Sequence, residues 1–475
     1  MDKSLKNTVQ ALPTVGELRE LLKETESSDT RVLLSALFDS NTFIELGTFT
    51  KRKFDELLSS NKDTSLEGVI CGYGAINGRL VFAFAQDSTR KNGAIDENHA
   101  KKICSLYEMA IKNSAPVVGI FNSCGADIFE GAASLAAYGK IMNAVSTASG
   151  IIPQISIVNG PCIGLFSAVA ASFDFVIKMK KAPLYVLSTE LNKDQKEFSS
   201  IAAVCDDSAS AASYARRLFD FIPDNASNGV LSAACADAFD REISPALTQD
   251  VFSLIASIAD FGDVLPLYEA FAPEAVTSFA TIGGVKCGVV ATDYTVNEGR
   301  ITAKGAKKIA AFISFCDAYS IPLVTLVNSL GLSVTESCSC FASELAKLSL
   351  AYAKSENAKI TIILDRAIGA AFSLLGSKAL GADVAYALEN SEISALSSEA
   401  SVAFAWNDKV SLETSRESLI EEWKNSLASP VAAASIGEID DIISADEIRA
   451  RICTSLFMLS GKGKKVNGKH SVMPL

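Results

Sequence analysis

Two segments of the 475-residue sequence carry residue types suited to one kind of chemistry, the stabilisation of a negatively charged oxygen by backbone amides. Asn159-Gly160-Pro161-Cys162-Ile163-Gly164-Leu165-Phe166 and Asp365-Arg366-Ala367-Ile368-Gly369-Ala370-Ala371-Phe372 each read as the end of an apolar strand, a tight Gly turn and the start of a helix. A helix amino terminus leaves its first N–H groups without intrahelical partners, and two of them converging on one point form a site for a developing oxyanion. Small residues such as Gly164 and the Gly369-Ala370-Ala371 run allow a substrate to approach the backbone closely. Close packing of helix on sheet would also call for small residues, so the pattern gains weight from occurring twice.

Other chemistries have little material. His99 and His470 are the only histidines, which leaves almost nothing for His-rich zinc sites or for Ser-His-Asp and Cys-His catalysis, and no metal site is expected. His99 sits at the start of an amphipathic helix and reads as a helix-start or hydrogen-bonding residue rather than a general base. Gly463-Lys464-Lys465-Val466-Asn467-Gly468-Lys469-His470 approaches a phosphate-binding loop, but His470 stands where Ser or Thr is needed and five residues cannot supply the following helix. Gly72-x-Gly74 lacks the third Gly of a dinucleotide fingerprint, because Asn77 takes its place. The 11 cysteines include no C-x-x-C pair and only Cys338-Ser339-Cys340 close together, which predicts buried thiols in a reducing compartment rather than a disulfide frame. With 43 basic against 55 acidic residues, the net charge of -12 disfavours nucleic acid and anionic membrane. Neither a signal-like amino terminus nor an apolar stretch of about 18 residues is evident, so a cytoplasmic location is expected.

The elements that must position the two loops are themselves repeated. At an offset of 206 residues, Ala100-Lys101-Lys102-Ile103 falls on Ala306-Lys307-Lys308-Ile309, and 18 of the 55 positions from Ile76 to Glu130 equal their partners, where chance gives about 3 or 4. Each copy starts with a β-rich pair, such as Gly68 to Tyr73 and Leu80 to Ala85, and then an amphipathic helix with Ile103, Tyr107, Ala110 and Ile111, or Ile309, Phe312, Ile313 and Cys316, on one face. A Pro-led strand (Pro116 to Phe121, Pro322 to Val327), a Gly loop and a helix follow, then a second strand (Pro153 to Val158, Lys359 to Leu364), the loops described above, and a third strand (Asp174 to Lys178, Asp383 to Leu388). Short buried strands alternating with helices predict an α/β fold, with ligands at the carboxyl ends of the strands, where both loops lie. The turn-rich Ile222 to Gly229 is the expected join: an arm over 1–30, one domain over 31–228 and a second over 229–475.

The ordered motifs resemble the carboxyltransferase subunits of biotin-dependent acyl-CoA carboxylases and decarboxylases, the family of propionyl-CoA carboxylase beta and methylmalonyl-CoA decarboxylase alpha subunits. The resemblance runs through Ile76-Asn77-Gly78-Arg79, Phe84-Ala85-Gln86-Asp87, His99 to Cys104, Glu130-Gly131, Ile152 to Ser156, Gly160-Pro161-Cys162, Phe315 to Ala318, Ile321 to Thr325, Gly381 to Val384 and Lys469 to Leu475. It implies two tandem crotonase-like (ClpP/crotonase) β-β-α superhelix domains that move a carboxyl group between biotin and the α-carbon of a short acyl-CoA thioester. By resemblance, one oxyanion hole is the N–H pair of Gly164 and Leu165 and the other that of Ala370 and Ala371, while Phe372 and Ser373 lie where acyl chains are discriminated. The implied partners are a separate biotin carboxyl carrier protein, a biotin carboxylase or a membrane decarboxylase subunit, and further copies of the chain in a dimer-based oligomer, commonly a hexamer. Met179-Lys180-Lys181 lacks the second Met of a biotin-attachment site, so biotin is not expected on this chain.

Some residues depart from the family pattern. Leu165 and Ala370 stand where Gly is usual, Asp127 where Arg is usual, and Ser188 to Asp206 is shorter than its counterpart. These departures open a second reading, an assembly subunit that has lost its chemistry; a crotonase-type hydratase is a third, although one domain would suffice for it. Glu130 and Glu336 repeat and are expected to cap helices beside the Gly loops, and Lys462, Lys464, Lys465 and Lys469 form either a solvated tail or a contact for CoA phosphates.

Overall fold

The computed structural model describes residues 14–17, 19, 28–50, 66–187, 201–335, 338–411, 413–462 and 475. In the first half, α1 (Asp29–Leu37) and β1 (Ile44–Leu46) precede the hairpin β2 (Val69–Ile76) and β3 (Arg79–Gln86). Then come α2 (Glu97–Lys112), β4 (Val117–Ser123), α3 (Ala132–Ala148), β5 (Gln154–Ile163), α4 (Leu165–Ala171), β6 (Phe175–Met179), β7 (Leu184–Tyr185), β8 (Ile201–Cys205) and α5 (Ser208–Phe221). The second half repeats the order: α6 (Val251–Ile258), β9 (Val264–Leu267), β10 (Ala275–Ile282), β11 (Val285–Thr292), α7 (Ala303–Ala318), β12 (Leu323–Ser329), α8 (Phe341–Lys354), β13 (Lys359–Ile368), α9 (Ala370–Leu374), β14 (Val384–Leu388) and β15 (Glu392–Ser394). Three helices, α10 (Ser398–Ala405), α11 (Arg416–Ser426) and α12 (Pro430–Ser435), precede β16 (Asp441–Ile443) and α13 (Ile448–Leu459).

The sheets run β1-β2-β3-β4-β5-β6-β8 and β9-β10-β11-β12-β13-β14-β16, with β7 on β5 and β15 on β13. In both, the first three strands are antiparallel and the rest are joined in parallel. This is the α/β, twice-repeated β-β-α arrangement expected. Helix starts follow from the sequence: Asp96 accepts the His99 N–H at 2.8 Å to open α2, and Thr302 accepts that of Gly305 at 3.0 Å to open α7.

Each sheet is buried on both faces, so its strands read as continuous apolar runs. One face of the first sheet packs under α2, α3 and α4 through Phe84, Phe121 and Val158. Its other face, with α1 and α5, joins the second half in one core, where Phe175 meets Phe279 and Phe315, and Phe221 stacks on Phe279 at 5.9 Å. The remaining face of the second sheet packs under α6 and α13. The halves therefore stack head to tail, with the helices α1 and α5 repeated as α6 and α13.

A carboxylate clasps each hairpin turn. Asp39 accepts the N–H groups of Asn77 and Gly78 at 3.3 and 2.8 Å, and Arg216 ties it to the Leu37 carbonyl. Asp260 accepts those of Gly283 and Gly284 at 2.9 and 2.7 Å, and Arg449 ties it to the Ile258 carbonyl. Between the halves, Asn225 and Ala226 bond to Ser114 and Ile151 in the first unit, whereas Leu231 and Ala233 pair with Lys286 and Gly284 in the second. Helix α1 begins at Asp29, just inside the segment expected to be an arm.

One expectation is corrected. Cys338 and Cys340 are joined in a disulfide, so the 11 cysteines are not all thiols. The single intervening residue leaves the Cα atoms 5.2 Å apart, within bridging range. The other nine are free, and only Cys124 among them is exposed.

Candidate active site

The two Gly loops leave the carboxyl ends of β5 and β13 and have one geometry. The extension of β5 pairs with β7, Cys162 opposite Leu184 and Ile163 opposite Tyr185, and the Gly164 N–H closes this ladder on the Tyr185 carbonyl at 3.0 Å. In the second half Ile368 lies opposite Ser394, and the Gly369 N–H donates to the Ser394 carbonyl at 2.8 Å. Gly164 at φ 66° and Gly369 at φ 55° then turn the chain through the left-handed region into α4 and α9. The Leu165, Phe166, Ala370 and Ala371 N–H groups have no acceptor among the described residues.

Of the expected first pair, Leu165 has an N–H without an acceptor among the described residues, whereas the Gly164 N–H is held by Tyr185. Gly164 corresponds to Gly369, not to Ala370, and its N–H is spent on the sheet. The amides equivalent to Ala370 and Ala371 are those of Leu165 and Phe166. Phe166 was not among the expected residues; the signal that could have placed its N–H opposite that of Ala371 is the loop alignment itself, since the offset shortens from 206 to 205 before the two Gly residues. Side chains fix the turn from below: Phe166 is buried against Phe121 and Tyr138, at 5.1 and 5.6 Å between ring centres, and the Ser167 hydroxyl donates to the Gly164 carbonyl at 2.7 Å. The Leu165 side chain is 49% exposed. Ala371 is buried, whereas Phe372 lines a small cavity under α9 with Val327, Thr361 and Ile363. Ser373 is exposed beside it.

The neighbouring strands brace both loops. Ser123 at the end of β4 lies opposite Cys162, and Ser329 at the end of β12 opposite Ala367. A Cβ on Gly160 would come within 2.1 Å of Asn122 Oδ1, so the Asn amide requires Gly there; in the second half Asn328 Oδ1 accepts the Arg366 N–H at 3.3 Å. The Asn122 N–H donates to Gln86 Oε1 at 3.1 Å, and Gln86 Nε2 lies 3.2 Å from His99 Nε2, whose Nδ1 lies 3.2 Å from Glu67 Oε1. His99 is fully buried in this chain of contacts and acts as the hydrogen-bonding residue expected. Burial pushes the Cys162 thiol up to about 12, so it stays protonated and is no nucleophile.

The remaining candidates are placed as follows. Glu130 accepts the Glu97 N–H at 3.0 Å and so serves the start of α2 rather than of α3, while Asp127 opens the short 3-10 turn before α3 by accepting the Phe129 N–H. Lys462 is held by Asp383 at 2.8 Å and by the Asn357 carbonyl. Glu336, Lys464, Lys465, Lys469, His470 and most of Ser188 to Asp206 lie outside the described residues. Among the described residues, no three His, Cys, Asp or Glu side chains are grouped to hold a metal ion, and no helix is long and apolar enough to cross a membrane.

Comparison with known proteins finds relatives over nearly the whole chain. A family model described as the carboxyl transferase domain matches residues 29–195 and 199–473. The methylmalonyl-CoA decarboxylase subunit alpha of Propionigenium modestum is 31% identical over 497 residues, covering 97% of this chain and 96% of its own. The propionyl-CoA carboxylase beta chain of Cereibacter sphaeroides is 31% identical, with 94% and 93% covered. The methylmalonyl-CoA carboxyltransferase 12S subunit of Propionibacterium freudenreichii is 30% identical, with 97% and 94% covered. Among solved structures, a transcarboxylase 12S hexamer with methylmalonyl-coenzyme A and methylmalonic acid bound superposes with a TM-score of 0.88 at 28% identity, covering 98% of this chain and all of that one.

Proposed function

The chain belongs to the carboxyl transferase domain family, and on that premise we propose that its two loops hold the two oxyanions of a carboxyl transfer between biotin and the α-carbon of a short acyl-CoA. The chain is the carboxyltransferase subunit of a biotin-dependent acyl-CoA carboxylase or decarboxylase. The observation that carries the finer reading is the pair of unpartnered, equivalent amides in each half, Leu165 with Phe166 and Ala370 with Ala371. We take 1–30 as an arm, 31–228 as the first unit and 229–475 as the second.

The reaction needs two such sites. Transfer of the carboxyl group off or onto the α-carbon places negative charge on the thioester oxygen, and the loop amides meet that charge without reorganising, because the β7 and β15 pairings and the buried Phe166 and Ala371 fix their aim. Biotin, held on a separate carrier protein, supplies an acceptor nitrogen next to a ureido carbonyl, whose oxygen needs an equivalent pair of donors. Both loops carry small groups, at Gly160 and Gly164 in one and at Gly369 and Ala370 in the other, which leaves room for two flat carbonyls of this kind. No side-chain acid or base is needed at the carbon, in keeping with a buried, hydrogen-bonded His99. The assembly reading, a subunit without chemistry, rested on Leu165, Asp127 and the altered Ser188 to Asp206 segment; against its first ground stands the Leu165 N–H, which has no acceptor among the described residues.

The hexamer formed by the 12S relative supports a homo-oligomer for this chain, with further copies completing the site. Incubating the whole chain with methylmalonyl-CoA and its biotinylated carrier, or with free biotin in excess, tests the function. Loss of the carboxyl group only when biotin is present is expected; biotin-independent turnover of an enoyl-CoA, or no turnover of any carboxyacyl-CoA, would displace this reading.

A further inference from the structure

We propose that the Cys338–Cys340 pair is a thiol–disulfide exchange site that takes a dithiol as its reductant. It lies on the loop between β12 and α8, beyond Ser329, and both cysteines and the intervening Ser339 are exposed. An incoming sulfur can therefore reach either atom.

Nothing else in the chain is built around disulfides. The nine remaining cysteines are free, including the exposed Cys124, and six of them are buried as ordinary small core residues. A bridge across one residue closes so short a loop that it removes little entropy from the unfolded chain, and so it adds little to stability. Exposed bridges that are not structural are the labile ones that exchange. In a chain otherwise made of thiols, this bridge has the position and the accessibility of a redox group.

The two sulfurs are not equivalent. Cys340 is the residue immediately before α8, a helix of 14 residues, and its carbonyl accepts the Glu344 N–H at 3.0 Å. Cys338 Sγ accepts the Cys340 N–H at 3.3 Å, whereas a thiolate at Cys340 would lie at the positive end of the 14-residue helix, which stabilises the anion more and makes Cys340 the better leaving group. Cys338, two residues further out, is then the sulfur that is attacked. A thiolate of the dithiol bonds to Cys338 Sγ, the Cys338–Cys340 bond breaks and Cys340 leaves as a thiolate. The second thiol of the reagent then displaces Cys338, closing the reagent's own disulfide. Two electrons and two protons pass from dithiol to protein, and no other reactant is needed.

Alkylation of the whole native chain with iodoacetamide, with and without prior dithiothreitol, tests the proposal, with Cys124 as the internal control for an accessible thiol. Neither Cys338 nor Cys340 should be labelled before reduction, and both should be labelled afterwards without loss of the fold. In the single variants, Cys340 in Cys338→Ser should alkylate with a pH midpoint about one unit below that of Cys338 in Cys340→Ser. Labelling of both cysteines without reductant would overturn the proposal, as would a bridge that persists in excess dithiothreitol while Cys124 reacts. Equal or reversed midpoints would overturn the assignment of Cys340 as the leaving sulfur.

Discussion

Gly164 gives its backbone N–H to the Tyr185 carbonyl at 3.0 Å, and Gly369 gives its own to Ser394 at 2.8 Å. A short edge pairing beyond the main sheet thus consumes the first amide of each turn and leaves the next two unpartnered. Which amides are left open is set by sheet register, not by the identity of the Gly residue, so Leu165 and Ala370 can stand where Gly is usual: a Cβ at these helix-start positions does not remove the N–H.

Substrate choice is expected to depend on Ser373 more than on Phe372, because Ser373 is exposed at α9 while Phe372 faces the small cavity beneath it. Ser373→Ile should change the ratio of turnover between malonyl-CoA and methylmalonyl-CoA by about 10-fold, the value of one to two methylenes in an acyl pocket of about 1 to 3 kcal/mol discrimination. Competition assays with the two thioesters measure it, and an unchanged ratio would remove Ser373 from the acyl pocket.

Asp174 predicts a pH dependence of stability. Burial between the two halves raises its carboxyl from the ordinary 3.8 to about 7, partly offset by the Gln154 N–H that donates to Oδ2 at 2.8 Å. The folded state therefore holds this proton more tightly than the unfolded chain, so stability falls as pH rises from about 4 to 7 and is level above it. Asp174→Asn keeps an acceptor for Gln154 and should stabilise the protein at pH 8 by at most about 4 kcal/mol, at about 1.4 kcal/mol per unit, with no gain at pH 4. Thermal unfolding of both proteins across this range measures it; an equal offset at both ends would contradict it.

Arg449 and Arg216 hold equivalent clasps in different surroundings. Arg449 is fully buried, whereas the Arg216 side chain is 31% exposed. Arg449→Met leaves Asp260 buried without its cation and should cost about 3 to 5 kcal/mol, while Arg216→Met should cost about 1 kcal/mol or less. Urea unfolding distinguishes them, and equal losses would show that burial does not separate the two clasps.

Much of this architecture was legible in the sequence. The gapless offset of 206 from Ile76 to Glu130 covers the hairpin turn, β3 with β11, α2 with α7, and β4 with β12, and the bounds of these elements keep that offset. The reading weakened where the offset changes. Asp39 and Asp260 are 221 residues apart, and Arg216 and Arg449 are 233 apart, so a comparison at one spacing could not pair them although they do the same work. The acceptor of the Gly164 N–H was hidden for a related reason: Tyr185 and its counterpart Ser394 come from edge strands of two and three residues that carry no periodic signal of their own. The Cys338–Cys340 bridge depends on loop geometry rather than on a C-x-x-C spacing, and was invisible to cysteine counting.

The most direct test of the oxyanion loops is the turnover of Leu165→Pro and Ala370→Pro. Proline is tolerated at the first position of a helix, where it removes only an N–H that has no intrahelical partner. Each variant should keep its thermal stability and lose about 100- to 1000-fold in kcat for biotin-dependent carboxyl transfer, the usual loss for one oxyanion donor, whereas Leu165→Gly should stay within about 3-fold of the parent, a barrier change under about 1 kcal/mol. Full activity in folded Leu165→Pro and Ala370→Pro, or restored activity in Leu165→Gly from an inactive parent, would contradict the account.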